Sequence, residues 1–379
     1  MTSVPEHLAT VLLTVDMQAL QDNWRLLAKQ VGSAQCAAAV KGDAYGLGIA
    51  PVTQALWKAG CRSFFVGRPT EGEELRAILP QATIYVLDGL LTGQAEFYAR
   101  LNLIPALSSG AEAHEWAVFK RAHGGEMPCA LHVDTGINRV GFSIAEFSAL
   151  LDDSATMKDL NVSLVMSHLA CADEPSHPLN AKQRDAFAAI RRKLPGVPAS
   201  LANSGGIFLG PDYLHDLVRP GIALYGGNPT QAAANPMRAV ACLEAKVMQV
   251  RSIGEGESVG YGATWKAGRP SRIAVLGAGY RDGLPRAFSS TRRDGPAQVY
   301  LAGRRCPIVG RVSMDMVAID VTDLEPPEVA RGMRAEIFGE HISIDEAAAW
   351  AGTISYELLT RLGSRYARLY SGIESERPS

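Results

Sequence analysis

Short apolar runs alternate with amphipathic stretches from about residue 10 to residue 240. The runs 35–40, 63–67, 83–88, 102–108, 129–134, 163–168, 199–203 and 217–225 read as strands, with helical patterns between them. Thr70 and Glu73 have the spacing of a capping box for a helix through Glu74, Leu75 and Ile78. The stretch 181–194 puts Phe187, Ile190 and Leu194 on one face and stops at Pro195-Gly196. Eight strand–helix units over this length predict a closed α/β barrel, a (β/α)8 TIM barrel. An open doubly wound sheet would alternate too, but it carries fewer units and a recognisable dinucleotide turn. No GxGxxG or GxxxxGK[ST] occurs, and Gly277-x-Gly279-x-x-x-Gly283 has the wrong spacing.

Beyond residue 240 the period changes. Runs at 243–253, 271–278, 297–302, 306–311, 316–321, 334–338 and 366–371 predict strands joined by glycine turns such as Gly303. One short helix is expected from a Ser343/Glu346 cap to Trp350, stopped by Gly352, and a further turn starts at Ser355. The expected division is therefore a barrel over 11–240 and a mainly β domain over 241–379, with residues 1–10 packing with the latter. The tail 373–379 reads as disordered.

Composition narrows the class of molecule. A chain of 379 residues suggests two domains, and 47% hydrophobic content supplies substantial cores. A net charge of -2 gives no basic excess to suggest nucleic acid. The six cysteines are scattered without a CxxC pair, so neither a metal site nor a disulfide framework is expected. The N-terminus lacks a basic n-region, and no stretch is long enough to span a membrane, so a cytoplasmic enzyme is the expectation.

The chemistry gathers at the predicted strand ends. Lys41 closes the first barrel strand and enters a turn carrying Gly42, Asp43, Tyr45, Gly46 and Gly48. A buried amine has a lowered pKa and is suited to forming Schiff bases with carbonyls, those of pyridoxal phosphate (PLP) included. A strand-end lysine that snorkels to water is the more ordinary reading of this spacing alone. Asp134 and Arg139 follow strand five, His168 ends strand six, Asn203 and Ser204 end strand seven, and Arg219 lies in strand eight. In a barrel these ends converge on the carboxyl-terminal mouth. Asn203-Ser204-Gly205-Gly206 could hold a phosphate or be a plain glycine loop, and Arg219-Pro220-Gly221-Ile222 reads as a turn inside strand eight. In the second domain Tyr261 stands between glycines, Met314 and Asp315 lie in a polar turn, and Tyr356 is near a helix start. Spacing alone assigns none of these a catalytic role.

Eight motifs, AVKGDAYGLG, DTGINRVGF, SHLACAD, ANSGG, RPGIALYG, VGYGATW, GAGYRDG and GRVSMDMVAIDVT, stand in the order found in bacterial alanine racemases, which the chain resembles over nearly its whole length. The resemblance implies a PLP-dependent enzyme that interconverts L- and D-alanine, as a head-to-tail homodimer with shared sites. Lys41 would hold PLP and act as one base, and Tyr261 from the partner subunit as the other. Arg219 would face the pyridine nitrogen, with His168 beside it. Ser204, Gly221, Ile222 and Tyr225 would hold the phosphate, together with Asn203, Tyr45 and Tyr356. Arg139 would steady the cofactor's phenolic oxygen and the substrate carboxylate, with Met314 and Asp315 on the substrate side. One position departs from the pattern: where many members carry a carbamylated lysine, this chain has His132, so Arg139 must be positioned by another group, such as a chloride or a polar neighbour, with Asn138 substituting in part.

The racemase motifs leave room for a broader amino-acid racemase acting on serine or lysine. A non-catalytic PLP-binding barrel would need no second domain. A PLP-dependent decarboxylase of similar architecture would pair the ring nitrogen with an acid, and a Schiff-base aldolase would not explain residues 241–379.

Overall fold

The computed structural model describes residues 4–230, 234–290, 297–325 and 328–372. The predicted tail, 373–379, lies outside the described residues. The chain forms two units. One comprises Leu20–Leu224 with Asn228–Met237, and the other Met1–Ala19, Tyr225–Gly227 and Arg238–Ser379.

In the first unit, parallel strands run in chain order. They are Ala38–Ala39, Ser63–Val66, Thr83–Val86, Ile104–Leu107, Pro128–His132, Asn161–Met166 and Ala199–Ser200. A second parallel pair, Gln35–Cys36 with Leu217–Val218, closes the ring. Arg219 donates its amide to Ala202, while Ala37 and Ala39 donate theirs to Val218 and Pro220. These bonds join the last strand to both the seventh and the first, which makes the closed (β/α)8 barrel. Phe64, Val66, Ile84, Val86, Ala106 and Leu131 are fully buried, as strands covered on both faces require.

Three local expectations are corrected. The helix after the second strand starts at Pro69 and not at a Thr70/Glu73 cap. Proline suits the first helical position, and the Glu71 carboxylate already accepts the Arg68 amide. The helix expected at 181–194 begins earlier, as Pro178–Lys193, with the His177 ring accepting the Leu179 amide. The eighth strand is Leu217–Val218 only, and not 217–225. Pro220 has no N–H to give a ladder, and the chain curls into the 3-10 turn Ile222–Tyr225.

The second unit is built on a mainly antiparallel sheet, six strands of which close on themselves. Ala241–Ile253 pairs with Arg334–Phe338 and, past a bulge between Val247 and Gln249, with Ser271–Leu276. From Ser271–Leu276 the ladder continues through Val317–Asp320, Arg304–Val309 and Gln298–Leu301 back to Arg334–Phe338. The expected short helix is present as Ile344–Trp350, with Ser343 Oγ accepting the Glu346 amide. The sequence reading opened the barrel at residue 11. Val11–Asp16 instead belongs to this second sheet, antiparallel to Ala241–Ile253 on one side and parallel to Ala367–Ser371 on the other. Its apolar residues suit either sheet, and only the pairing decides.

Candidate active site

Lys41 follows a fully buried Val40 at the carboxyl end of the first barrel strand. The residues after it wind the wrong way. Gly42, Asp43, Ala44 and Tyr45 have φ of 66, 54, 52 and 57°, a left-handed turn in which only the first residue is glycine. Side-chain carboxylates brace it: Glu71 Oε1 accepts the Gly42 amide at 2.6 Å, and Asp43 Oδ1 accepts that of Ile49 at 2.7 Å. Burial, then the Arg139 charge, lowers the Lys41 pKa, while Asp88 and Glu71 oppose the shift.

Arg219 is 6% exposed and pairs with no carboxylate among the described residues. Its guanidinium donates to Ser200 Oγ and, at 2.6 Å, to the Ser167 carbonyl, with His168 Nδ1 at 3.5 Å. Burial lowers its pKa to about 10, so it remains a cation near neutrality. Burial and the Arg219 charge push His168 well below its usual value, so that ring is neutral. A buried polar chain holds this group in place. Gln183 donates to the His168 carbonyl at 2.9 Å and to Thr135 Oγ1 at 3.3 Å, and Thr135 meets Ser167 Oγ at 2.8 Å.

His132 ends the fifth strand beside the same cations. It is 6% exposed, and neither ring nitrogen has a hydrogen-bond partner among the described residues. Arg139 is exposed, and its backbone amide donates to Asp134 Oδ2 at 3.2 Å. The charges of Arg139 and Arg219 lower the pKa of Lys41, His132 and His168 alike, which places these groups in one electropositive cluster.

Beside this cluster the chain makes an anion cradle. Ser204 Oγ accepts the amides of Gly221 at 2.8 Å and Ala223 at 3.3 Å. The amides of Ser204, Gly205 and Ile222 have no protein acceptor among the described residues, although Ser204 and Ile222 are buried. Asn203 Oδ1 takes the Gly206 amide and shapes the loop. A Cβ on Gly221 would lie 2.2 Å from Tyr45 Oη, so that glycine is required for the tyrosine's approach. Open amides, hydroxyls and a nearby amine of lowered pKa suit a phosphate-bearing carbonyl compound, so these residues fit PLP.

Tyr225 is buried and belongs to the second unit, as do Tyr261, Met314, Asp315 and Tyr356. Tyr261 is 72% exposed and Met314 52%. Their loops touch: a Cβ on Gly310 would lie 2.6 Å from the Val259 carbonyl, and one on Gly279 would lie 2.3 Å from that of Met314. Asp315 is held by Arg365 at 2.8 Å, which also grips the buried Asp282. Tyr356, on the helix Ser355–Thr360, is 40% exposed. Sequence reasoning missed Glu71, Ser167, Ser200 and Gln183. The signal for Gln183 was a polar side chain in the 180, 183, 187, 190 stripe that the helix buries.

Two family profiles cover the chain: "Alanine racemase, N-terminal domain" matches residues 15–229, and "Alanine racemase, C-terminal domain" matches 240–370. An alanine racemase of Methylobacterium sp. (strain 4-46) is 49% identical over 370 residues, covering 98% of this chain and 100% of the relative. One from Methylobacterium nodulans is also 49% identical over 370 residues, with 98% of each chain covered. The crystal structure of alanine racemase from Bartonella henselae with covalently bound pyridoxal phosphate superposes with a TM-score of 0.90 at 39% identity, covering 96% of this chain and 99% of that one.

Proposed function

We propose, from the premise that this chain belongs to the alanine racemase family, that it interconverts L- and D-alanine by a two-base mechanism with PLP as cofactor. When bound, PLP supplies the electron sink that makes the α-proton of an amino acid removable. The rest of the chemistry falls to side chains. The Lys41 Nζ must be neutral to take a proton, and its burial among cations favours that form. Tyr261 Oη of a second copy serves the opposite face, and its exposure between two glycines suits a group offered to a partner. Arg219 stays charged and gives no proton to the ring nitrogen, which restrains carbanion delocalisation and so disfavours transamination. Arg139 receives the substrate carboxylate, and the Ser204–Gly205 and Ile222 amides receive the phosphate.

The observation that carries this reading is that Lys41 feels the charge of a buried arginine that pairs with no carboxylate among the described residues, and that a cradle of open amides lies on either side of that arginine in the chain. The test is α-proton exchange in D₂O, followed by NMR and chiral chromatography, on a panel of L-amino acids. Exchange with racemisation confined to alanine is expected, and Lys41→Ala should abolish both. Comparable rates on serine or lysine would instead establish a broad racemase. Bound cofactor with no exchange on any substrate would overturn the reading. Arg219→Glu should raise transamination, read as conversion of bound cofactor to its amine form; no rise would refute the role given to Arg219.

A further inference from the structure

The left-handed turn after Lys41 is strained. A non-glycine residue in that conformation brings its Cβ too close to the following carbonyl oxygen, and Asp43, Ala44 and Tyr45 all adopt it in succession. Such strain persists only where the surroundings over-determine it. Glu71 is the brace at the turn's first residue. Its Oε1 accepts the Gly42 amide at 2.6 Å, and its Oε2 accepts those of Gly67 at 2.8 Å and Arg68 at 3.1 Å. Three backbone donors thus meet one carboxylate at the N-terminus of the helix Pro69–Ile78. Gly67 itself lies close beneath the lysine: a Cβ there would sit 3.6 Å from the Lys41 Cβ and 3.2 Å from Glu71 Oε2.

We propose that Glu71 is a positioning residue for Lys41, its carboxylate clamping the peptide that follows the lysine to the end of the neighbouring strand and so aiming the amine. The inference rests on Lys41 being the reactive amine. The same carboxylate also favours the protonated amine and partly offsets the effect of burial. Both effects act through Lys41, since nothing places Glu71 in contact with substrate.

The experiment compares holoenzymes of wild type, Glu71→Gln, Glu71→Asp and, as a control on the same helix, Glu74→Gln. Glutamine matches the shape but puts an amide NH₂ where one accepting oxygen stood, and it removes the charge. A misaimed base is expected to lower kcat about 10–100-fold with little change in KM. Removing the anion should move the acid limb of the pH–rate profile, and the pH dependence of the bound cofactor's absorbance, to lower pH. Glu71→Asp keeps the charge on a shorter arm, so it should lower kcat while leaving the acid limb in place. Glu74→Gln should match wild type. A folded Glu71→Gln enzyme with kcat within twofold of wild type and an unmoved absorbance profile would overturn the proposal. Wild type that does not racemise, or Lys41→Ala that does, would instead overturn the reading of Lys41, and the absorbance profile separates these failures.

Discussion

His132 sits in a buried site where no group among the described residues bonds to either ring nitrogen, and that has a cost in acid. Burial, then the Arg219 charge, holds its pKa down at about 4 against an ordinary 6.5. Above 6.5 neither the folded nor the unfolded chain takes this proton, and stability is at its full value. As the pH falls from 6.5 towards 4 the unfolded chain takes it and the folded chain does not, so stability falls; below 4 the loss is complete, at about 3 kcal/mol. Urea unfolding at stepped pH should show this decline, and His132→Gln should flatten it, leaving the part due to His168, whose pKa is lowered in the same sense. An identical slope in the variant would remove His132 from the account. Gly221 makes a second residue-scale prediction. The Cβ of Gly221→Ala would displace Tyr45 from the cradle, and losing its hydrogen bond to a phosphate would cost about 1.5–3 kcal/mol of binding. PLP titration should show roughly tenfold or more weaker binding, and unchanged affinity would refute the cradle. Strand-end residues such as Lys41, His168, Ser204 and Arg219 were legible because chemistry-bearing side chains interrupt apolar runs. Glu71 and Gln183 were not, since a glutamate near a helix start and a glutamine within a helix look ordinary until their partners, distant in sequence, are in place.

At the scale of elements, turns decide what periodicity leaves open. Gln298–Leu301 and Arg304–Val309 form a hairpin whose two central residues, Ala302 and Gly303, have φ of 48 and 80°. This pattern favours asparagine followed by glycine. Ala302 is exposed, so Ala302→Asn should stabilise the protein by about 0.5–1 kcal/mol, seen as a raised Tm at unchanged activity. A lowered Tm would count against the turn assignment. The glycine at 303 was visible in the sequence; the strained alanine before it was not, because nothing in its side chain announces a positive φ. Similarly, Thr70 and Glu73 have capping-box spacing, yet Pro69 and Glu71 set the cap at Arg68, two residues earlier. The apolar residues that predict a longer eighth strand continue through Ile222–Tyr225, whereas Pro220 and the grip of Ser204 on the Gly221 amide curl the backbone away.

At the scale of the whole molecule, the proposed placing of Lys41 and Tyr261 on different copies has an arithmetic consequence. Lys41→Ala and Tyr261→Phe chains, each inactive alone, should recover about one competent site per mixed dimer, because two-fold symmetry puts both intact residues at one of the two sites. Mixing the variants and assaying racemisation checks this; no recovery in verified mixed dimers would refute sharing. Architecture was the most legible level, since the change of period near residue 240 divides barrel from sheet. The ownership of Val11–Asp16 was hidden, because an apolar strand carries no mark of the sheet it will join. That ownership sets an order on biosynthesis. Translation delivers Val11–Asp16 before anything else in its sheet, and its antiparallel partner follows only after the barrel segment has been made. Its parallel partner, Ala367–Ser371, comes later still. The barrel can therefore begin to condense on the ribosome while a strand with Val11, Leu12, Leu13 and Val15 meant for burial waits unpaired ahead of it. The nascent chain must keep this strand out of other associations until Ala241–Ile253 emerges, and its other edge stays open until Ala367–Ser371 follows.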